Sequence, residues 1–96
     1  MPEMTFDVQW PDGRLQRCYS PSLVMFDYLS AGSDYAVTDF LDRSGAALRE
    51  ASDRVLAKFG FVCTSAAAMN EEIVTAAAKF PPTATVRVVA MHPEQP

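Results

Sequence analysis

Strict alternation of apolar and polar residues marks the start of the chain. Met4, Phe6, Val8 and Trp10 are apolar, and each is preceded by a polar residue. This period of two is typical of a strand with one buried and one open face. The pattern predicts a first strand over residues 3 to 10, at the centre of a sheet.

A tight turn and a second strand follow. Pro11 presets the backbone for the second position of a type I turn, and Gly13 can adopt the left-handed conformation that closes a three-residue hairpin loop. A loop of this length predicts a second strand over residues 14 to 19. The cross-strand pairs that it implies are Trp10–Arg14, Val8–Gln16, Phe6–Cys18 and Asp7–Arg17.

Helical spacing of the apolar residues replaces alternation in the middle of the chain. Serine and threonine cap the starts of helices, proline suits the first helical position, and glycine ends a helix in the left-handed conformation. On these signals we expect a short helix from Ser20-Pro21 through Leu29, a long helix from Thr38 to Gly60, and a third from Thr64 or Ser65 to Phe80. The long helix is expected to bury one side as far as Phe59, and Phe61 to Cys63 form a short apolar link.

A third strand is predicted over residues 83 to 91, which are rich in threonine and valine. The element order is then β-β-α-α-α-β. This order predicts an α+β fold, in which a hairpin and a C-terminal strand form a three-stranded sheet with helices packed on one face. Residues 1–92 are expected to form a single domain, and residues 93–96 a flexible tail.

The third strand alternates less cleanly than the first. Ala84, Val86, Val88 and Ala90 make one face, which leaves Val89 and Met91 on the other. Together with Leu15 and Tyr19 on the outer face of the hairpin, these two residues predict an apolar patch that no helix covers. Uncovered apolar patches usually mark contacts, so the interface of a homodimer is predicted from Leu15, Tyr19, Val89 and Met91.

Composition and charge narrow the classes of function. The 96 residues are 49% hydrophobic and 21% charged, which suits one packed domain. The net charge of −4 opposes a main role in binding nucleic acid or an anionic membrane. No apolar stretch approaches the roughly 20 residues of a membrane span, the first ten residues lack the pattern of a signal peptide, and two cysteines are too few for a disulfide framework. A cytoplasmic protein is expected.

Two cysteines offer the most direct chemistry. Cys18 and Cys63 both precede predicted helix starts, where a thiol can have a lowered pKa and react as the thiolate. Cysteine is also among the most buried residue types, and Cys18 faces Phe6 in the predicted hairpin. Both interpretations remain open, with structural packing favoured by the burial of cysteine in general.

Other candidate ligand-binding residues are polar and lie between the second strand and the long helix. Tyr19, Ser20 and Tyr35 are compatible with the lining of a cleft near the cysteines, or with the rim of a small core. A zinc site needs three or four ligands, whereas the chain offers one histidine, His92, directly before the predicted tail and beyond the predicted third strand. No metal and no cofactor are expected.

Several short segments resemble a known family. The segments are MPEMTF at the start, WPDG at 10–13, CYSPS at 18–22, Tyr35 to Phe40, FGFVCTSA at 59–66, and the apolar third strand. Over nearly its whole length the chain is similar to the small nitrogen starvation response proteins of bacteria, which are typically encoded beside a nitrilase in a biosynthetic gene cluster. The resemblance implies a cytoplasmic bacterial protein tied to nitrogen supply, assisting a pathway that contains a nitrilase, a radical enzyme and an acyltransferase. It implies no catalytic residues.

The sequence therefore predicts a non-catalytic accessory or interaction protein, acting as a homodimer or with a protein partner from the same gene cluster. The alternative is a small enzyme or metabolite-binding domain that uses Cys18 or Cys63. The two classes differ in whether either thiol is accessible and ionised near neutral pH.

Overall fold

The computed structural model describes residues 2–62 and 64–94. Four strands form one antiparallel sheet in the order β2-β1-β4-β3. The elements are β1 Met4–Gln9, β2 Leu15–Ser20, a 3₁₀ helix Leu23–Asp27, β3 Asp34–Ala36, α1 Val37–Phe59, α2 Thr64–Ala77 and β4 Thr85–His92. The predicted α+β class is confirmed, but the described residues hold four strands rather than three and two α-helices rather than three.

The N-terminal hairpin folds as its turn residues predict. The Gly13 N–H donates to the Trp10 carbonyl at 2.8 Å, and the Trp10 N–H donates to the Arg14 carbonyl at 2.9 Å. Gly13 has a φ of 89°, a value that glycine adopts without strain. The register that follows pairs Phe6 with Cys18, Asp7 with Arg17 and Val8 with Gln16. This local part of the fold is confirmed residue by residue.

The first predicted helix is wrong, because the serines before it serve a tighter turn. The Ser20 hydroxyl donates to the Ser22 carbonyl at 2.7 Å and accepts from the Ser22 N–H at 3.2 Å. Ser22, rather than Ser20, then caps a single short 3₁₀ helix by accepting from the Val24 N–H at 3.3 Å. Side-chain bonds of this kind compete with helix formation.

β3 is absent from the sequence prediction, and it sets the start of the long helix. Its three residues pair with β4, Tyr35 opposite Val86, at the far edge of the sheet from β2. A strand this short shows no alternation to detect. Thr38 is not the cap of α1, because its hydroxyl and N–H both donate to the Pro82 carbonyl, at 3.0 and 3.1 Å. The end of α1 matches prediction: Gly60 terminates it in the left-handed conformation.

A β-bulge in β4 reverses one of the predicted faces. Asp7 pairs with Ala90 and Val8 with Val88, so Val89 is the extra residue. After the bulge Met91 lies opposite Phe6 and is only 2% exposed. The prediction that Met91 lies on the same uncovered side of the sheet as Val89 is therefore wrong, because the one-residue shift turns Met91 toward the core.

Both helices pack on the face of the sheet that carries Phe6, Val8 and Met91, and together they close the core. Trp10 is buried in this core, with an edge-to-face contact to Phe40 at 5.7 Å and a stacked contact to Phe80 at 5.9 Å between ring centroids. The Trp10 Nε1–H donates to Gln16 Oε1 at 2.8 Å, so the indole is satisfied although it is buried. The helices leave the opposite side of the sheet, here called the open face, partly exposed.

Candidate interaction surfaces

The open face carries most of the predicted interface. Leu15 on β2 is 65% exposed and Val89 in the bulge of β4 is 45% exposed. Tyr19 is half-buried, and its hydroxyl donates to Glu3 Oε2 at 2.9 Å. Met91 lies in the core and takes no part in this surface. The role of Leu15, Tyr19 and Val89 in an interface stays a prediction.

A charged row crosses the open face between these residues. The Asp7 carboxylate accepts from Arg17 Nε at 2.8 Å and Nη2 at 3.1 Å, and its Oδ2 lies 3.3 Å from His92 Nε2. The hydrogen bonds from Arg17 hold the pKa of Asp7 below its usual value, with His92 adding to the effect against the opposing influence of burial. Arg17 stands between Leu15 and Tyr19 along β2, and the β1 residues on this face are polar, so the open face is not one continuous apolar patch.

His92 is part of the sheet, one residue past the predicted end of the last strand. It is the last residue of β4 and pairs with Thr5 of β1. Within residues 2–62 and 64–94 there is no group of three or more histidine, cysteine, aspartate or glutamate residues arranged to hold a metal ion.

Cys18 is buried in the sheet, where its thiol is a poor nucleophile. Burial raises its pKa to about 12, and the negative charges of Glu72 and Asp7 act in the same direction. The thiolate is the reactive form, so near neutral pH Cys18 is held as an inert thiol. Cys63, the second candidate, lies outside the described residues.

The remaining candidate ligand-binding residues do not converge on one cleft. Ser20 is buried and bonded within its turn. The Tyr35 hydroxyl accepts from the Ser30 N–H at 2.9 Å, and the Arg43 guanidinium lies 5.2 Å from its ring centroid. Tyr35 sits on β3 and Tyr19 on β2, the opposite edges of the sheet. These tyrosines therefore belong to two separate sites.

An exposed apolar cluster appears where α1 turns into α2. The last buried residue of α1 is Val55 and the first of α2 is Ala66. Every described residue from 56 to 64 is exposed. The cluster, here called the hairpin tip, consists of Leu56, Phe59, Phe61 and Val62, which are 46%, 49%, 59% and 67% exposed.

The hairpin tip is apolar with a single charge. Phe59 and Phe61 lie 6.0 Å apart between ring centroids, and the Lys58 ammonium is 5.8 Å from the centre of the Phe59 ring. Taking about 200 Å² for a fully exposed aromatic side chain, the four residues present on the order of 400 Å² of apolar surface. Patches of this size on small proteins are often functional.

The hairpin tip is not among the sequence predictions, because Phe59 is predicted on the buried side of the long helix and Phe61 to Cys63 as a short apolar link. One signal was available. Gly60 stops the helix between two phenylalanines, so both rings lie at the end of a helical hairpin, where little core remains to cover them.

The fold and the two surfaces define the general class of this protein. The chain is a small α+β protein whose described surfaces are a charged open sheet face and an apolar helical tip, and within that part of the chain no helix is long and apolar enough to cross a membrane. Residues 5–91 match the family described as nitrogen starvation-induced protein NitG, and the chain belongs to this family. No curated protein and no solved structure matches the chain. This match confirms the part of the sequence resemblance that concerns a nitrogen starvation-induced protein.

Proposed function

We propose that this nitrogen starvation-induced protein is a non-catalytic accessory protein that acts by binding another protein through the hairpin tip. The proposal places it in the bacterial cytoplasm as a homodimer, assisting a pathway encoded in a gene cluster with a nitrilase. The observation that carries it is the exposure of four large apolar side chains in one cluster. Leaving such a cluster in water is unfavourable, at about 25 cal/mol per Å² of apolar surface, and a partner would remove that cost.

The residues of the hairpin tip indicate which surface properties a binding partner needs. Lys58 is the one charged residue among residues 56 to 62, and it lies beside the Phe59 ring. A complementary surface has an apolar recess for the phenylalanines and a carboxylate at the rim to meet the ammonium. An acidic-rimmed apolar recess on a protein of the same pathway is therefore the proposed target.

The alternative, a thiol enzyme or metabolite-binding domain, loses support at Cys18. That thiol is 0% exposed and its raised pKa keeps it protonated near pH 7. Only Cys63 is left to carry this alternative.

The test compares the tip with a matched apolar position elsewhere on the helices. Tagged protein is purified from nitrogen-starved cells in three forms: unmodified, Phe61→Asp/Val62→Asp, and the control Val74→Asp. Val74 lies on α2 and is 48% exposed, so it carries the same kind of change away from the tip. Any co-purifying protein is identified, expressed separately and titrated against all three forms.

We expect the unmodified chain and the Val74→Asp variant to bind the same protein, and the tip variant to bind it at least about 10-fold more weakly. The melting temperatures of the three forms should agree within a few degrees, because all three positions are exposed. Equal affinity of the tip variant and the control would show that the tip is not the contact.

A further inference from the structure

β2 forms an edge of the sheet with backbone groups that point outward. The Trp10 N–H to Arg14 carbonyl bond fixes the phase of the β1–β2 ladder, so residues 14, 16 and 18 bond to β1. The N–H and C=O groups of Leu15, Arg17 and Tyr19 therefore point away from β1. The Tyr19 N–H confirms this direction, because it donates to Met69 Sδ on α2 at 3.3 Å.

Natural edge strands are usually protected from pairing by charge, proline or cover. Met69 covers the Tyr19 end. Among the residues that the structure describes, no hydrogen bond to the outward backbone groups of Leu15 and Arg17 is seen, so the edge is open there. The Arg17 side chain is turned across the sheet by its two bonds to Asp7, so its charge is neutralised and does not guard the edge. Leu15 beside it is 65% exposed and apolar.

A groove of about 780 Å³ lies between this edge and α2. Its helix side is lined by α2 and by Lys79, two residues past the end of that helix; the α2 residues are Ala68, Glu71, Glu72, Thr75 and Ala76. Small residues leave room for another chain to approach. Two carboxylates, Glu71 and Glu72, precede Thr75 in sequence, and Lys79 follows it, seven positions after Glu72.

We propose that the open edge of β2 and this face of α2 bind a second copy of the chain in a two-fold symmetric dimer. With the symmetry axis at Gln16, Leu15 of each copy pairs with Arg17 of the partner subunit. Each of the two pairs exchanges two backbone hydrogen bonds. The two four-stranded sheets then join into one sheet of eight strands.

Charge complementarity selects a second copy as the occupant. Within one chain α2 runs antiparallel to β2, since Met69 lies at Tyr19 whereas Ala76 and Lys79 line the groove with Arg14 and Gln16. Two-fold symmetry then lays the two α2 helices antiparallel, with Thr75 near the axis. In that arrangement Glu72 approaches Lys79 of the partner subunit, and the pair occurs twice.

This inference rests on the homodimer part of the proposed function and not on partner binding at the hairpin tip. The test is sedimentation equilibrium of the full chain and of three variants. Leu15→Pro removes an outward N–H at the first residue of an edge strand, a position where proline is tolerated. Lys79→Glu sets two carboxylates against each other, and Glu72→Lys/Lys79→Glu restores opposite charges in swapped order. Leu15→Ala is the control that keeps the backbone donor.

We expect the unmodified chain to dimerise and Leu15→Pro to be monomeric at protein concentrations where Leu15→Ala still dimerises. Lys79→Glu should raise the dimer dissociation constant at least about 10-fold, and the double variant should return to within about 3-fold of the original. A monomeric unmodified chain at about 100 μM would overturn both this inference and the homodimer. A dimer that Leu15→Pro and Lys79→Glu leave intact would overturn the surface and keep the homodimer.

Discussion

The Asp7 carboxylate on β1 accepts two hydrogen bonds from the Arg17 guanidinium on β2, at 2.8 and 3.1 Å. This cross-strand pair spans the open face and follows from a three-residue loop, whose length sets which residues of the two strands stand opposite each other. The bidentate geometry fixes the Arg17 side chain over the sheet rather than beyond its edge. One ion pair thus shapes both the charge of the open face and the accessibility of the β2 backbone.

The pair predicts a pH dependence of stability. The pKa of Asp7 is lower in the folded chain than in the unfolded one, mainly because of the hydrogen bonds from Arg17. The stabilisation is therefore fully present above the unfolded pKa, near pH 4, and is lost as the pH falls through the folded pKa. Asp7→Asn should lower the melting temperature by about 2–4 °C at pH 7, and this difference should shrink as the pH falls below about 4.

Thermal unfolding followed by circular dichroism between pH 2.5 and pH 7 checks this. Arg17→Gln removes the other partner, and the Asp7→Asn/Arg17→Gln double variant completes the cycle. The two single changes should be less than additive, because each removes the same contact. Fully additive losses would mean that Asp7 and Arg17 act on stability separately.

The buried thiol of Cys18 predicts that the stability of the fold also changes at alkaline pH. Its folded pKa of about 12 lies above the unfolded value, so the stabilisation from keeping the thiol protonated is complete below about pH 9 and is lost as the pH rises toward 12. The free energy of unfolding should fall by up to about 1.4 kcal/mol per pH unit in that interval. Cys18→Ala lacks this contribution, and the difference between the two urea unfolding curves isolates it from other titrating groups.

Thiol labelling gives an independent measurement on the same residue. In the Cys63→Ser variant Cys18 is the one remaining cysteine. We expect a disulfide reagent at pH 8 to modify it at least about 100-fold more slowly in the folded chain than in urea. Rapid modification of the folded chain would revive Cys18 as a reactive residue.

How far the sequence predicts the structure depends on how local the determining contacts are. The hairpin register follows from Pro11 to Gly13 alone, and Gly60 ends α1 as its residue type predicts. The bulge at Val89 has no local signature, because it arises from how β4 pairs with β1, which is distant in sequence. The predicted faces of β4 are therefore right at Val86 and wrong at Met91.

Exposure at the candidate site was harder to predict than secondary structure. Leu15 lies on the open face as the sequence predicts, since alternation in a hairpin fixes which side each residue takes. The hairpin tip was missed because the period of a helix says which side of it is apolar and not how far along its length the core continues. Val55 is the last buried residue of α1, and Leu56 and Phe59 extend past that limit.

The bulge in β4 changes the expected effect of a substitution at Met91. If Val89 and Met91 both lay on an open patch, Val89→Arg and Met91→Glu would be tolerated alike. Because Met91 is 2% exposed, we now expect Met91→Glu to cost about 3–5 kcal/mol, a large part of the stability of a small domain, whereas Val89→Arg should stay within about 0.5 kcal/mol. Urea unfolding of the two variants decides the matter, and equal stability would contradict the shifted register.

Gly45 in the middle of α1 is expected to lower stability without a structural need. Its backbone φ is not positive, and an added Cβ would meet Asn70 Oδ1 of α2 at 3.6 Å, an ordinary contact. Alanine loses less backbone freedom on folding than glycine, so Gly45→Ala should raise stability by about 0.5–1 kcal/mol and the melting temperature by about 3–6 °C. Gly13→Ala is the matched control: nothing lies within 4 Å of its added Cβ, but its φ of +89° strains any side chain, so the melting temperature should fall by a similar amount. A lower melting temperature for Gly45→Ala would mean that α1 and α2 need the close approach that only glycine allows, and would give this residue a packing role.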